Sequence, residues 1–124
     1  MAAMKPQELN RLFEKAFNAG DLEALLALYE PGARIVLQSG EVASGAKAIR
    51  ETLQGSLALK GRMSVENKYV IEADGTAVSR ASWHLTGTAP DGKRIEMRGS
   101  TVEVCRRQPD GTWRYLIDLP NGSD

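Results

Sequence analysis

Apolar residues recur at helical spacing along the first half of the chain and alternate singly along the second. Between Gln7 and Ala19, the residues Leu9, Leu12, Phe13, Ala16 and Phe17 form one stripe, which predicts an amphipathic helix. Gly20 closes it, because glycine enters the left-handed C-cap conformation without a Cβ penalty. Asp21 then offers an N-cap for a second helix carrying Leu22, Leu25, Leu26, Leu28 and Tyr29. Glu23 suits the positive end of its dipole, and Pro31-Gly32 stops it. Ala33 to Gln38 predicts a short strand before a turn at Ser39-Gly40. A third helix begins at Ser44 or Gly45, buries Ile49, Leu53 and Leu57, and ends by Gly61.

The second half changes period. Asp74-Gly75, Asp91-Gly92 and Asp110-Gly111 separate four runs of alternating character: Arg62–Ala73, Thr76–Thr88, Lys93–Arg107 and Thr112–Leu119. Asp-Gly favours the positive φ angles of tight hairpins, so the four runs predict an antiparallel meander. Three of them exceed the usual strand length of about five or six residues, and long strands coil. Gly99, in mid-run, is the expected place for a bulge or sharp bend. Helices followed by a meander make an α+β fold, with the helices packed on one face of a strongly curved, mostly antiparallel sheet.

At 124 residues the chain fits a single domain spanning 1–124. Its formal net charge is zero, which argues against nucleic acid or an anionic membrane as partner. Lys93, Arg94, Arg98, Arg106 and Arg107 alternate with apolar and acidic residues, as on a solvated sheet face rather than a phosphate patch. Cys105 is the only cysteine and His84 the only histidine, so a zinc site of those ligands is excluded and no cofactor is implied. With no disulfide possible and no long apolar stretch, a soluble, cytoplasmic protein is expected.

If the helices cover the concave face, polar residues interrupting an inward apolar series are the informative ones. Strict alternation groups Met63, Val65, Asn67, Tyr69, Ile71 and Ala73 on one face. Asn67 and Tyr69 then point inward, either held by an internal hydrogen bond in the core or orienting a ligand. Trp83 and His84 are adjacent and must face opposite ways, Trp83 as an apolar wall. His84 is a general acid–base candidate by its ordinary pKa, with a structural or interface role as the alternative. Asp118 is grouped with Arg114 and Leu116, opposite Trp113, Tyr115 and Ile117. At the mouth of an apolar pocket its pKa rises, as a proton-shuttling base requires, with Arg98 as its expected partner; a strand-end ion pair is the plainer reading. Glu103 falls opposite Val102 and Val104, and Cys105 reads as a packed thiol.

The stretch from Phe17 to Leu25, the run Leu28-Tyr29-Glu30-Pro31-Gly32-Ala33, the Gly45 to Ile49 helix start and the closing Asp110-Gly111-Thr112-Trp113-Arg114 resemble nuclear transport factor 2-like domains. Within that superfamily the chain is similar to the SnoaL-like, ketosteroid-isomerase-like group. The resemblance implies a cone-shaped α+β barrel with a hydrophobic pocket, to which Phe17 and Tyr29 contribute. It also implies losses. Phe13 stands where the isomerases carry a tyrosine and Leu37 where they carry the proton-abstracting aspartate, while Glu103 falls near their third functional acid. Steroid isomerisation by that route is therefore disfavoured.

The resulting expectation is a protein that binds a small apolar or amphipathic molecule. Its activity would be that of an isomerase, cyclase or hydrolase acting by proton transfer, with Asp118, Tyr69 and His84 as catalytic candidates. Asn67, Trp83, Tyr29, Phe17, Arg98 and Glu103 are the ligand-binding candidates. The alternative is a non-catalytic ligand-binding or dimerisation module. Either way, long strands with exposed Val, Thr and Ser suit a homodimer through the sheet.

Overall fold

The computed structural model describes residues 2–122. A single 3-10 turn at Pro6–Glu8 leads into α1 (Leu9–Asn18). There follow α2 (Leu22–Leu26), β1 (Tyr29–Val36), β2 (Val42–Ser44), α3 (Gly45–Leu57), β3 (Arg62–Ala73), β4 (Thr76–Thr88), β5 (Arg94–Arg107) and β6 (Trp113–Leu119). Three helices thus pack on one six-stranded sheet of order β2-β1-β6-β5-β4-β3. Among the described residues, only the β1–β6 pairing is parallel.

Local chemistry accounts for most boundaries. Pro6 occupies the first position of its turn, where its missing N–H costs nothing. The Asp21 carboxylate accepts from the Ala24 amide at 3.1 Å and caps α2. The second helix is shorter than its apolar pattern suggests. Tyr29 does not extend it but opens β1, where it pairs with Tyr115 of β6, and the Tyr115 amide donates to the Leu28 carbonyl at 2.7 Å. Pro31 and Gly32 lie inside this strand rather than before it, within the stretch where its register against β6 slips. A proline fits there because a slipped stretch asks for no ladder N–H. Asp74 and Gly75 both take positive φ, as a two-residue hairpin demands, and join β3 to β4.

The meander is interrupted twice, and neither interruption is at Gly99. Trp83 pairs with Gly99 in an unbroken β4–β5 ladder. The extra residues are Lys68 and Leu116. In β3, Asn67 pairs with Ala81 and Tyr69 with the adjacent Arg80, so Lys68 is bulged out. In β6, Tyr115 pairs with Cys105 and Ile117 with the adjacent Val104, so Leu116 is surplus. Each bulge reverses the in–out alternation of everything beyond it. Gly99 instead permits a close approach: a Cβ there would lie 2.5 Å from Nε1 of the Trp83 indole.

The core lies between the helices and the concave face of the sheet. It is built on Leu9, Phe17, Leu25, Ile49 and Leu53 from the helical side and Ala77, Leu85, Cys105 and Tyr115 from the strands. Burial of such side chains contributes about 1.5–3 kcal/mol each. No helix among the described residues is long and apolar enough to cross a membrane.

Candidate functional site

Between the helices and the sheet lies a cavity of about 230 Å³. The larger part of its wall is apolar, with Phe13 and Phe17 from α1, Leu53 from α3, Ile35 from β1, and Trp83 and Leu85 from β4. Gln38 and Met97, which remain exposed, mark its open end. Phe13 stacks near Phe17 with ring centroids 6.2 Å apart and meets Tyr115 edge-on at 6.4 Å. Tyr29 lies 5.0 Å from Tyr115. Phe13 and Leu37, which stand where a tyrosine and an aspartate were sought, are part of this apolar wall.

The polar part of the wall is small and concentrated. Asp118 and Glu103 are cross-strand partners on β6 and β5, 8% and 3% exposed, and both line the cavity. Asp118 is inward only because of the Leu116 bulge, which moves it onto the face of Trp113 and Tyr115. Its Oδ2 accepts from the Tyr29 hydroxyl at 2.7 Å. Glu103 is supported more heavily: the Ser79 hydroxyl and Asn10 Nδ2 donate to its Oε1, and Thr101 bonds the same carboxyl. Tyr115 in turn donates from its hydroxyl to Asn10 Oδ1.

Burial and proximity set the protonation of this pair. Removal from water, then repulsion from Glu103, push Asp118 up to about 7, with the Tyr29 hydrogen bond opposing the rise. Burial also raises Glu103, against the pull of its three donors. The hydroxyls of Tyr29 and Tyr115 are held well above the usual phenol range by burial and by the neighbouring carboxyls. Burial pushes the Cys105 thiol up to about 12, so it stays protonated as a packing group. Asp118 therefore exchanges its proton near neutrality inside an apolar cavity, and the two tyrosines act as donors only.

The remaining candidates are distributed differently. Phe17, Tyr29 and Trp83 line the cavity. The Trp83 indole lies over Gly99 and donates to the Pro120 carbonyl at 2.8 Å, which fixes the ring as a wall. Tyr69 does not point inward. The Lys68 bulge turns it to the outer face of the sheet, where it is 46% exposed. Asn67, the last inward residue before that bulge, stops short of the cavity: it accepts from Asn10 at 2.7 Å and donates to the Gln7 carbonyl at 3.1 Å. It thereby orients Asn10 rather than a ligand. His84 and Arg98 face outward as a cross-strand pair. His84 Nε2 lies 3.1 Å from Glu96 and Arg98 3.8 Å from it. Arg98 is thus not the partner of Asp118; that place is taken by Glu103.

Three polar members of the site, Asn10, Ser79 and Thr101, went unrecognised in the sequence, although the first two left a signal. Asn10 precedes Phe13 by three residues and Phe17 by seven, which puts it on the same helical face. Ser79 interrupts the inward series Ala77 and Ala81. Among the described residues, no group of three or more His, Cys, Asp or Glu side chains converges as a metal site would require.

Solved structures of similar architecture accompany this geometry. The chain is similar to a ketosteroid isomerase-like protein from Erwinia carotovora atroseptica SCRI1043, at 19% identity over 91% of this chain and 89% of that one, with a TM-score of 0.81. It is similar to a conserved protein from Planctomyces limnophilus DSM 3776, at 16% identity, 91% and 89% coverage and a TM-score of 0.82. An NTF2-like protein with a cystatin-like fold from Novosphingobium aromaticivorans shares 20% identity over 90% of this chain and 75% of that one, with a TM-score of 0.74. At these identities the likeness is one of fold. No curated protein matches the sequence. Residues 9–115 match the SnoaL-like domain model, and the chain belongs to that family.

Proposed function

We propose that the protein binds a small, largely apolar molecule in the cavity and moves a proton to or from it through Asp118. The observation that carries this reading is the placement of Asp118: buried in an apolar wall, opposed by Glu103, and titrating at about 7. A carboxyl in that state serves as acid and as base at neutral pH with little driving force lost in either direction. In an isomerisation, its carboxylate takes a proton from a carbon acid, holds it as the carboxylic acid, and returns it at another carbon. Tyr29, whose hydroxyl donates to Oδ2, fixes the rotamer of Asp118.

Cavity size limits the substrate. An apolar cavity of about 150 Å³ accepts benzene. The 230 Å³ here suits an aromatic or alicyclic ring bearing a short side chain rather than a fused multi-ring skeleton. A thermal-shift screen of such ring compounds, followed by turnover assays on the hits, tests the reading. Asp118→Asn is expected to keep ligand binding and abolish turnover. Turnover at the native rate in that variant would remove Asp118 from the chemistry.

The outer face of the sheet supports a second element, a homodimer. Ile71, Val78, Val104 and Ile117 are successive cross-strand partners and form an apolar row across β3 to β6, with Ile71 62% and Val78 39% exposed. A two-fold pairing of such rows covers both copies at once. Light scattering is expected to give twice the chain mass of 13.5 kDa, and a monomer mass at micromolar concentration would refute it.

A further inference from the structure

The cavity joins two carboxyls to five aromatic residues, Phe13, Phe17, Tyr29, Trp83 and Tyr115, and among the described residues its lining contains no Lys, Arg or His. That composition is uneven in charge as well as in polarity. Three neutral donors, from Ser79, Thr101 and Asn10, converge on Glu103. A carboxylate accepts from all of them at once, whereas a carboxylic acid would set its own O–H against one of them. Burial nonetheless outweighs the donors and raises this carboxyl, so what its ionised form lacks is a counter-charge. A buried carboxylate without a counter-charge is costly, and a cation within the same enclosure removes that cost. The basic residues nearest in the chain do not supply it: Arg106 is engaged by Glu30 through two bonds of 2.6 and 2.8 Å, and Arg98 faces outward.

We infer that the cavity selects a ligand with a protonated amine on a ring-sized apolar body, the amine lodged against Glu103 and Asp118 and the body among the aromatic rings. Aromatic faces attract cations, so the walls favour the same ligand that the carboxyls do. A carboxylate, phosphate or other anionic group is excluded, because it would be desolvated against two acids with no positive partner in the lining. This inference rests on the cavity being a small-molecule site and extends it to a charge class.

The titratable groups that face Asp118 are Tyr29 from β1, Glu103 and Cys105 from β5 and Tyr115 from its own strand, while α1 and α3 present neutral side chains to the cavity. The phenols and the thiol stay neutral, so binding of an alkylammonium draws on the carboxyls and drives the proton off Asp118. Affinity for an amine is therefore expected to rise with pH through neutrality, by at most about tenfold per pH unit.

Three ligands of one size separate the charge classes: phenethylamine, phenethyl alcohol and phenylacetate. Titration calorimetry of the native protein at about pH 6 and about pH 8 reads both the ranking and the proton released, since buffers of different ionisation heat reveal it. The expected ranking at the higher pH is amine above alcohol by about tenfold or more, with no detectable phenylacetate binding. Amine binding that tightens with pH in the native protein and becomes flatter in Asp118→Asn completes the expectation. Equal affinity for the alcohol, any preference for phenylacetate, or no binding of all three would overturn it. Turnover of neutral ring compounds with the amine excluded would sink this inference and leave the proton-transfer reading intact. Tight amine binding with turnover unaltered in Asp118→Asn would do the reverse.

Discussion

β3 and β6 each lose their alternation at one bulged residue, and the consequences are opposite. Beyond Lys68, β3 turns Tyr69 and Ile71 out to the exposed face and ends its contribution to the site. Beyond Leu116, β6 turns Asp118 into the cavity and creates the centre of the site. The two strands differ in what covers them. β3 is the edge of the sheet, while β6 lies inside it between β1 and β5. A reversal at an edge releases a side chain to solvent, at little cost. A reversal in the interior must place a carboxyl among apolar groups, where Tyr29 donates to it and burial and repulsion from Glu103 favour its protonated form. A bulge is thus a neutral adjustment in one strand and a functional device in the other.

Removing the β6 bulge breaks this comparison most severely. Insertion of one alanine between Val104 and Cys105 gives Leu116 a cross-strand partner, restores uninterrupted alternation along β6, ejects Asp118 and drives Leu119 inward in its place. Unfolding in urea is expected to show a loss of about 4 kcal/mol or more, or failure to fold, and the variant should not bind ligand. An insertion variant of native stability would mean that the bulge is not needed to hold the strand.

The pH dependence of stability follows in size. The folded-state pKa of Asp118 lies above its unfolded value, so between about pH 4 and about pH 7 the folded state holds a proton that the unfolded state has released. Stability is fully present below that window and falls as pH rises through it. Asp118 alone accounts for as much as roughly 4 kcal/mol across the window, and Glu103 adds in the same direction. Asp118→Asn should remove most of this slope and be the more stable protein at pH 8, measured by denaturant midpoints. An unchanged slope would place the titration elsewhere.

Gly99→Ala tests the part of the wall that neither bulge positions. Its new Cβ would meet the Trp83 indole at 2.5 Å and Asn121 at 2.7 Å, so the ring must leave its bond to the Pro120 carbonyl. A cost of about 1–3 kcal/mol is expected, with a shift in tryptophan fluorescence. The smallest effect belongs to the β3 side. Tyr69→Ala should leave ligand affinity within about twofold and the stability of the isolated chain within about 0.5 kcal/mol. Its effect should fall on self-association instead. A strong loss of ligand binding would contradict the outward position of Tyr69.

Much of the fold could be read from periodicity and turn residues. The stripe from Leu9 to Phe17 marks α1, and Asp74-Gly75 marks a two-residue hairpin because both residues there need positive φ. The site was legible only in part. Alternation set Trp83 and His84 on opposite faces, since β4 pairs with β5 without interruption, but by itself it left His84 among the catalytic candidates. Tyr69 and Asp118 could not be placed correctly, because a bulge inserts one residue without any obligatory residue type at Lys68 or Leu116. Tyr29 misled for a related reason: its helical spacing with Leu22 and Leu25 was real, but pairing of β1 with β6 removed it from the helix.

Residue order along the chain decides the set of elements and the chemistry available: one cysteine, one histidine, amphipathic helices, and carboxyls at Glu103 and Asp118. Helical periodicity and positive-φ turns are local properties, decided within a few residues. Tertiary structure alone decided which carboxyls meet, which tyrosine faces them and that Arg98 does not. Those outcomes depend on registers between strands distant in the chain, and a one-residue shift in register exchanges the two faces of a strand.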